Sequence, residues 1–547
     1  MLLLNKQTLR CLLTTSDYFE SDQEKIMYCV SRNSAELRHG FVSLGLFLLM
    51  SILLIGTSGL YAADEPALAF EALYEKQCAV CHGNELQGEA IGVPLVGRDL
   101  LHGESLEEVA VSIAEGYPDS GMPAWSEALT TTQIRTLAVF IVEQRDSMPY
   151  GEFNVRTPME FPEGVIASDK HAFTVEPVVE GLEELTFSMA ILPDRQFLVV
   201  EKTRGLRLIS ADGQQSTMIQ GTPKAYHNDA NPRGGVGWML EVVPHPQYAV
   251  NGWIYLHFSD RCEDCTAQSR QLNMAASMNK VVRGRIESDQ WVDQETIIEF
   301  DKASYQVGSD IGAGGRVAFD SEGHLFFSIG ARSPNTMSGV QDLSLPWGKI
   351  HRVNLDGSIP EDNPYVGDDS ALDSIWSRGH RSPQGLEVSP LNDQLWSTEH
   401  GPRGGDELNI IESGGNYGWP LHSLGINYSG SEVNFGRDEL EFFRIEDIEM
   451  PIVDFTPSPA VSSFIFYQGD AFPEWKNDVL MGTLKSRELF RIRLDGRRAI
   501  EQEILLDDFA RVRDIESGVD GEIFLLLEHG EGSQIARLKP ESVEIAK

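Results

Sequence analysis

The sequence predicts a mainly β protein: a six-bladed β-propeller over residues 165–545, with a small all-α domain at its N-terminal side over residues 64–150. Two observations carry this. From about Phe153 onward, short β-rich runs recur between Gly, Asp and Asn turns, among them "QFLVVEKTRGLRLIS", "GWIYLHFS", "GHLFFSIG", "DVLMGTLKSRELFRIRLDG" and "EIFLLLEHGEGSQIARLKP". Before that point the apolar residues recur at helical spacing, in "ALAFEALYEKQ" and in "LTTTQIRTLAVFIVEQ", where Ile134, Leu137, Ala138 and Ile141 share one face.

The chain has 547 residues, of which 41% are hydrophobic, enough for two or more folded domains. Residues 1–63 read as an upstream segment and a signal peptide or anchor. Within them "FVSLGLFLLMSILLIGTSGL" follows Arg32, Arg38 and His39 and ends in small residues, as a secretory signal does. The run is also just long enough to span a bilayer, so membrane attachment is expected only if it stays uncleaved. The expected location is therefore the periplasm. Forty-four basic residues against 83 acidic ones give a formal charge of -39, which repels phosphate backbones and anionic lipid and argues against nucleic acid as a partner. Export also leaves Cys78, Cys81, Cys262 and Cys265 beyond the signal, too few for a disulfide framework, so the fold must rest on its core.

The small domain carries "YEKQCAVCHGNELQG". C-x-x-C-H is the attachment signature of haem c: two thiols, Cys78 and Cys81, add across the porphyrin vinyl groups, and the adjacent His82 ligates the iron. A second axial ligand is offered by Met122 in the Gly/Pro-rich "GYPDSGMPAW", with His102 as the other candidate. A thioether there raises the reduction potential, as suits an electron carrier. The motif, the loop and the flanking helices together resemble a small class I cytochrome c domain, over about residues 64–148.

In the large part, hairpin turns of the Asp-Gly kind or a close relative are expected at Asp212, Glu322, Asp356, Asp495 and Asp520. Six such units suggest a propeller, whose loops on one face surround a central pocket; a pair of sandwiches is the alternative that pattern alone leaves. Longer motifs decide between them. "PWGKIHRVNLDGSIPEDNPY", "GHRSPQGLEVSP", "LWSTEHGPRGGDELNIIESGGNYGWP", "GTLKSRELFRIRLDG" and "ARVRDIESGVDGEIFLL" together resemble the soluble quinoprotein glucose dehydrogenase and aldose sugar dehydrogenase family. The resemblance implies a propeller that binds pyrroloquinoline quinone (PQQ) and calcium. It implies that Arg381, Lys485, Arg511 and Arg513 face the quinone, with His400 as a further polar contact, and that the backbone carbonyls of Gly401 and Pro402 hold the calcium. Chemistry agrees: a flat tricarboxylate calls for forked cations, and calcium for oxygen donors. Asp406 and Glu407 could support a second, structural ion.

The chain also departs from that family. Where the pattern H-x-G-G-R would place a general base four residues before Arg316, it has Gly312, which cannot accept a proton. The catalytic base is therefore unknown, and Asp310 is the one nearby carboxylate that could reach the same space. Ser382 stands where the family has Asn, and Val236 or Arg233 where it has Gln. Cys262 and Cys265 lack a following His and further ligands, which suits a small disulfide on a surface loop. The expected activity is oxidation of an aldose or related alcohol, with electrons passing through the haem to a downstream periplasmic acceptor. The alternative is a propeller that binds carbohydrate or protein and carries a separate electron-carrying cytochrome.

Overall fold

The computed structural model describes residues 70–89, 92–145, 159–228, 235–332, 337, 339–437 and 443–541. The chain divides into two compact units, Met1–Asp64 and Glu65–Lys547. The expected signal or anchor, together with Arg233, lies outside the described residues.

Among the described residues, four α-helices form the small domain: α1 (Phe70–Gln77), α2 (Ala79–His82), α3 (Leu106–Glu115) and α4 (Thr131–Arg145). Local chemistry sets their starts. Ser105 accepts from the Glu108 amide while the Glu108 carboxylate accepts from the Ser105 amide, and Thr130 and Gln133 do the same ahead of α4. Leu73, Tyr74, Leu106, Val109, Ile113, Ile134, Leu137 and Ile141 close a common core.

The large part is a ring of six antiparallel sheets, so the propeller, not the sandwich pair, is the fold. Blades 1 to 5 span residues 186–218, 239–298, 312–378, 383–455 and 461–506. Blade 6 is built from both ends of the ring: strands Arg511–Ser517, Ile523–Glu528 and Gln534–Glu541 are completed by Ala172–Val179, which pairs with Gln534–Glu541 and so ties the ring shut. All five turn positions read from the sequence carry a glycine in the left-handed region, Gly213, Gly323, Gly357, Gly496 and Gly521, with φ between 59° and 92°.

Each seam between neighbouring blades holds its own apolar cluster. Blades 1 and 2 share Phe187, Leu198, Trp238 and Leu256, and blades 2 and 3 share Tyr255, Met278, Phe327 and Val353. Further clusters join blades 3 and 4, 4 and 5, 5 and 6, and 6 and 1. Burial of this surface at roughly 25 cal/mol per Å² is the main stabilising term of such a ring.

At the axis a polar hub replaces apolar packing. Arg316, on the first strand of blade 3 and 4% exposed, donates to the Gln384 carbonyl of blade 4, to the Glu241 carboxylate of blade 2 (3.0 Å) and to the Asp514 carboxylate of blade 6 (3.0 Å). It also reaches the carbonyls of Phe187 in blade 1 and Arg513 in blade 6. Burial pushes the Glu241 carboxyl up to about 8 despite Arg316, and burial beside Asp514 and Glu241 pushes Glu387 up to about 8 as well.

Two outcomes are expected. Arg316→Met strands two buried carboxylates and should cost about 3–5 kcal/mol of stability, measured by denaturant unfolding. Glu387 keeps its proton to about pH 8 when folded but only to its ordinary 4.5 when unfolded, so its contribution is present at low pH and lost as pH rises through that window. Glu387→Gln should therefore flatten the dependence of melting temperature on pH and stabilise by about 1–2 kcal/mol at pH 8.

Candidate functional site

In the small domain the C-x-x-C-H segment is wound at the junction of α1 and α2. The Cys78 amide donates to the Tyr74 carbonyl and the His82 amide to the Cys78 carbonyl, and Gly83 then turns the chain at φ 77°. Cys78 and Cys81 are not disulfide-bonded. Burial, with Cys81 beside it, pushes the Cys78 thiol up to about 11. His82 Nδ1 lies 2.8 Å from the Val93 carbonyl, which places the proton on Nδ1 and leaves the Nε2 lone pair for a metal. Gly92 packs so closely on this segment that a Cβ there would sit 2.2 Å from the Cys81 carbonyl oxygen. Met122 is held by a two-way backbone pair with Tyr117. His102 instead stacks on Tyr117, with ring centroids 3.9 Å apart. Thiol pair, metal-ready imidazole and thioether fit a covalently held haem.

On the propeller, Arg511 and Arg513 lie on one face of the first strand of blade 6, and both donate to Glu528 on the next strand, at 2.8 and 3.1 Å. Lys202 of blade 1 adds a third cation at 3.6 Å from Glu528, over the rings of Phe187 and Trp238. Burial would raise the Glu528 carboxyl, but Arg513, Arg511 and Lys202 hold it well below the usual range. Three cations converge on one buried carboxylate, and such a concentration of positive charge in a dry place suits an anion. Arg511 also donates to the Leu484 carbonyl, next to the buried Lys485. Arg513 takes Gln384 of blade 4 as a partner, while its Nε is buried without one.

Arg381 donates to the His400 carbonyl and the Tyr428 hydroxyl and lies over Trp419. Burial, then Arg381 and Arg513, pull the His400 imidazole down to about 3, so it is neutral. Its Nε2 is likewise buried without a partner. Two orphaned polar atoms among clustered cations fit a polyanionic, planar ligand with acceptors on its rim.

Beside His400 the 401–405 loop folds back on itself. A Cβ at Gly401 would meet the carbonyl oxygens of Gly404 and Gly405 at 2.1 and 2.4 Å. Asp406 fixes the loop from below, accepting from the amides of Gly401 and Val461. Burial, then Glu399, pushes the neighbouring Glu407 up to about 8. Backbone carbonyls gathered beside buried Asp406 are oxygen donors of the kind calcium takes. Among the described residues, side-chain carboxylates with metal-like spacing cluster elsewhere, at Asp169, Glu501 and Glu503, where Arg491 already pairs with both glutamates.

Position 312 opens no base. Gly312 pairs with Arg332 across the blade, and a Cβ there would stand 3.3 Å from the Arg332 carbonyl oxygen. Asp310 is 2% exposed and its oxygens accept from the Ser277 hydroxyl, Arg332, and the amides of Gly237 and Trp238. That is the bonding of a structural acceptor, with no lone pair in reserve for a substrate proton. Ser382 is buried and hydrogen-bonded to Gln384. Cys262 and Cys265 are disulfide-bonded.

The family model for glucose/sorbosone dehydrogenase matches residues 183–537. The chain belongs to the glucose/sorbosone dehydrogenase family. The family model for subunit III of the cbb3-type cytochrome c oxidase matches residues 65–141, which gives this member an N-terminal cytochrome c domain. An aldose sugar dehydrogenase of Escherichia coli is 33% identical over 360 residues, 65% of this chain and 90% of its own. Quinoprotein glucose dehydrogenase B of Acinetobacter calcoaceticus is 27% identical, over 61% of this chain and 81% of its own. The structure of the soluble aldose sugar dehydrogenase of Escherichia coli, in its apo form, superposes with a TM-score of 0.57 at 31% identity, covering 68% of this chain and all of that one. As a family member with a fused cytochrome, the chain has a sugar dehydrogenase and electron-transfer character.

Lys202, Gln384 and Glu528 were missed by sequence reasoning. A signal existed: a glutamate closes the second strand of three blades, at Glu201, Glu399 and Glu528, each fully or nearly buried and each taking a cation or a histidine. Glu528→Gln should leave the three cations without their counter-charge and destabilise the ligand-free protein by about 3 kcal/mol. A soluble aromatic tricarboxylate should raise the melting temperature of this variant more than that of the unaltered protein.

Proposed function

We propose that the chain is an exported quinohaemoprotein dehydrogenase that oxidises an aldose or related alcohol and delivers the electrons to its own haem c. In this reading Arg381, His400, Lys485, Arg511 and Arg513 hold PQQ, the carbonyls of Gly401 and Pro402 hold calcium, Cys78 and Cys81 carry the haem, and His82 and Met122 ligate its iron. When bound, PQQ supplies the two-electron acceptor, and the haem supplies one-electron carriage. The observation that carries the reading is the pair of buried polar atoms without a partner, Arg513 Nε and His400 Nε2, among clustered cations. The relative named a quinoprotein supports the choice of quinone. The chain's own residues bind and orient: forked guanidinium groups grip carboxylates, neutral His400 offers a hydrogen bond without charge, and the buried seams exclude water.

The weak point is proton removal from the substrate hydroxyl, since position 312 is glycine and Asp310 is fully engaged. That observation favours a second reading, a propeller that binds carbohydrate or protein without oxidising it, attached to an electron-carrying cytochrome. The two separate cleanly. The purified protein is loaded with PQQ and calcium, offered a panel of aldoses and alcohols, and followed at the haem absorbance. Reduction that requires both quinone and substrate establishes the dehydrogenase; a haem that only ascorbate reduces establishes the binding module. Gly312→His, whose Cβ needs a shift of only a few tenths of an ångström at Arg332, should raise the rate of sugar oxidation by roughly 100-fold if the missing base limits it.

A further inference from the structure

From Thr136 to Glu143 every residue of helix α4 is buried. Ile134, Leu137, Ala138 and Ile141 face the small domain's own core, where Phe140 also packs on Tyr74, and Glu143 is buried as well. A stretch covered on every side needs a second partner. The propeller supplies it. Arg135, Val139 and Glu143 fall at intervals of four along one stripe. At one end of that stripe Arg135 donates to the Leu424 carbonyl (2.8 Å) and pairs with Asp454 (3.2 Å). At the other, Glu143 accepts from Arg403 Nε at 2.6 Å, with side chains only 1% and 7% exposed. Ile426 of the propeller is a member of the small domain's apolar core.

These contacts fall on one segment that also borders the cofactor cradle. Arg403 follows Pro402 directly, and its carbonyl accepts from the Ile426 amide. Two residues beyond Ile426, the Tyr428 hydroxyl accepts from Arg381, which also holds the His400 carbonyl. The chain next to the His400 carbonyl that Arg381 holds therefore carries, three residues on, the side chain locked into the cytochrome domain. One buried ion pair, Arg403 with Glu143, a second partly exposed one, Arg135 with Asp454, and the apolar Ile426 between them suit a fixed seat better than a transient encounter.

We propose that residues 401–428 form a fixed junction seating the haem domain at the rim of the cradle, with Arg403 and Glu143 as the positioning pair, so that electrons reach the haem within one molecule. This rests on the dehydrogenase reading above. Oxidation of one sugar hydroxyl to the carbonyl level releases two electrons and two protons. The protons go to water. Cys78, Cys81 and His82 would hold the haem, which would supply one-electron carriage for each of the two electrons to an external one-electron acceptor that is reduced twice per sugar.

The test uses the full chain, loaded with haem, PQQ and calcium, beside the doubly altered Arg135→Ala/Glu143→Gln protein. Rapid mixing with glucose should give a haem-reduction rate constant independent of protein concentration, and about tenfold or more slower in the variant, while reduction of an added phenazine dye stays unchanged. A second measurement needs no turnover: hydrogen exchange of segments 401–405 and 424–428 in quinone-free protein should be faster in the variant. Haem reduction that rises in proportion to protein concentration overturns the proposal, as does exchange that the variant leaves unchanged. Should neither haem nor dye be reduced by any sugar, the dehydrogenase reading fails, and the exchange result alone still decides whether the junction exists.

Discussion

One guanidinium sits where five of the six blades need a common partner. Arg316 meets carbonyls or carboxylates from blades 1, 2, 4 and 6 while belonging to blade 3. An arginine offers five donors in a fixed plane and does not lose its charge, so it can satisfy acceptors on several sides at once where an apolar residue would leave them stranded. The first strands of the blades end their inward reach here, and the cradle above inherits its geometry: the Arg513 carbonyl is one of the groups Arg316 holds, and the Gln384 it fixes by its carbonyl turns its side chain to Arg513.

This gives a physical account of the chain's departure at position 312. In the pattern H-x-G-G-R expected from the resemblance, the arginine position assembles the axis here, as Arg316, independently of the histidine position. Here the assembling residue is present and the histidine is absent. Arg332 and Asp310 fill the neighbouring space with a buried ion pair, and the Asp310 oxygens are all engaged, so none is held ready for a proton.

Charge is distributed with the same logic. The chain is strongly acidic overall, yet Lys202, Arg511, Arg513, Arg381 and Lys485 gather at one end of the ring, and the acid beneath the 401–405 loop is held protonated or hydrogen-bonded by burial. Buried cations held close to a loop of backbone oxygens and buried acid keep both signs of charge within one dry region. The interface with the cytochrome domain begins within that loop, at Arg403. The loop beside His400 and the contact with the cytochrome domain thus share one stretch of chain, from His400 to Tyr428.

The sequence by itself determined what depends on neighbours along the chain. Periodicity of two and of 3.6 separated propeller from helices, and glycines after Asp or Glu marked five turns because only they tolerate a left-handed backbone without cost. C-x-x-C-H announced its chemistry within five residues, and motif resemblance brought Arg381, His400, Lys485, Arg511 and Arg513 into view. Tertiary structure alone decided what depends on residues far apart. Lys202 joins Glu528 only when the ring closes, and Ile134, Leu137, Ala138 and Ile141 disclosed one buried face of α4 but not the second, because Arg403 and Ile426 lie more than 250 residues further on. Charge and shape complementarity between such distant segments leave no local period to read; they arise when the backbone is folded and groups must be desolvated against one another.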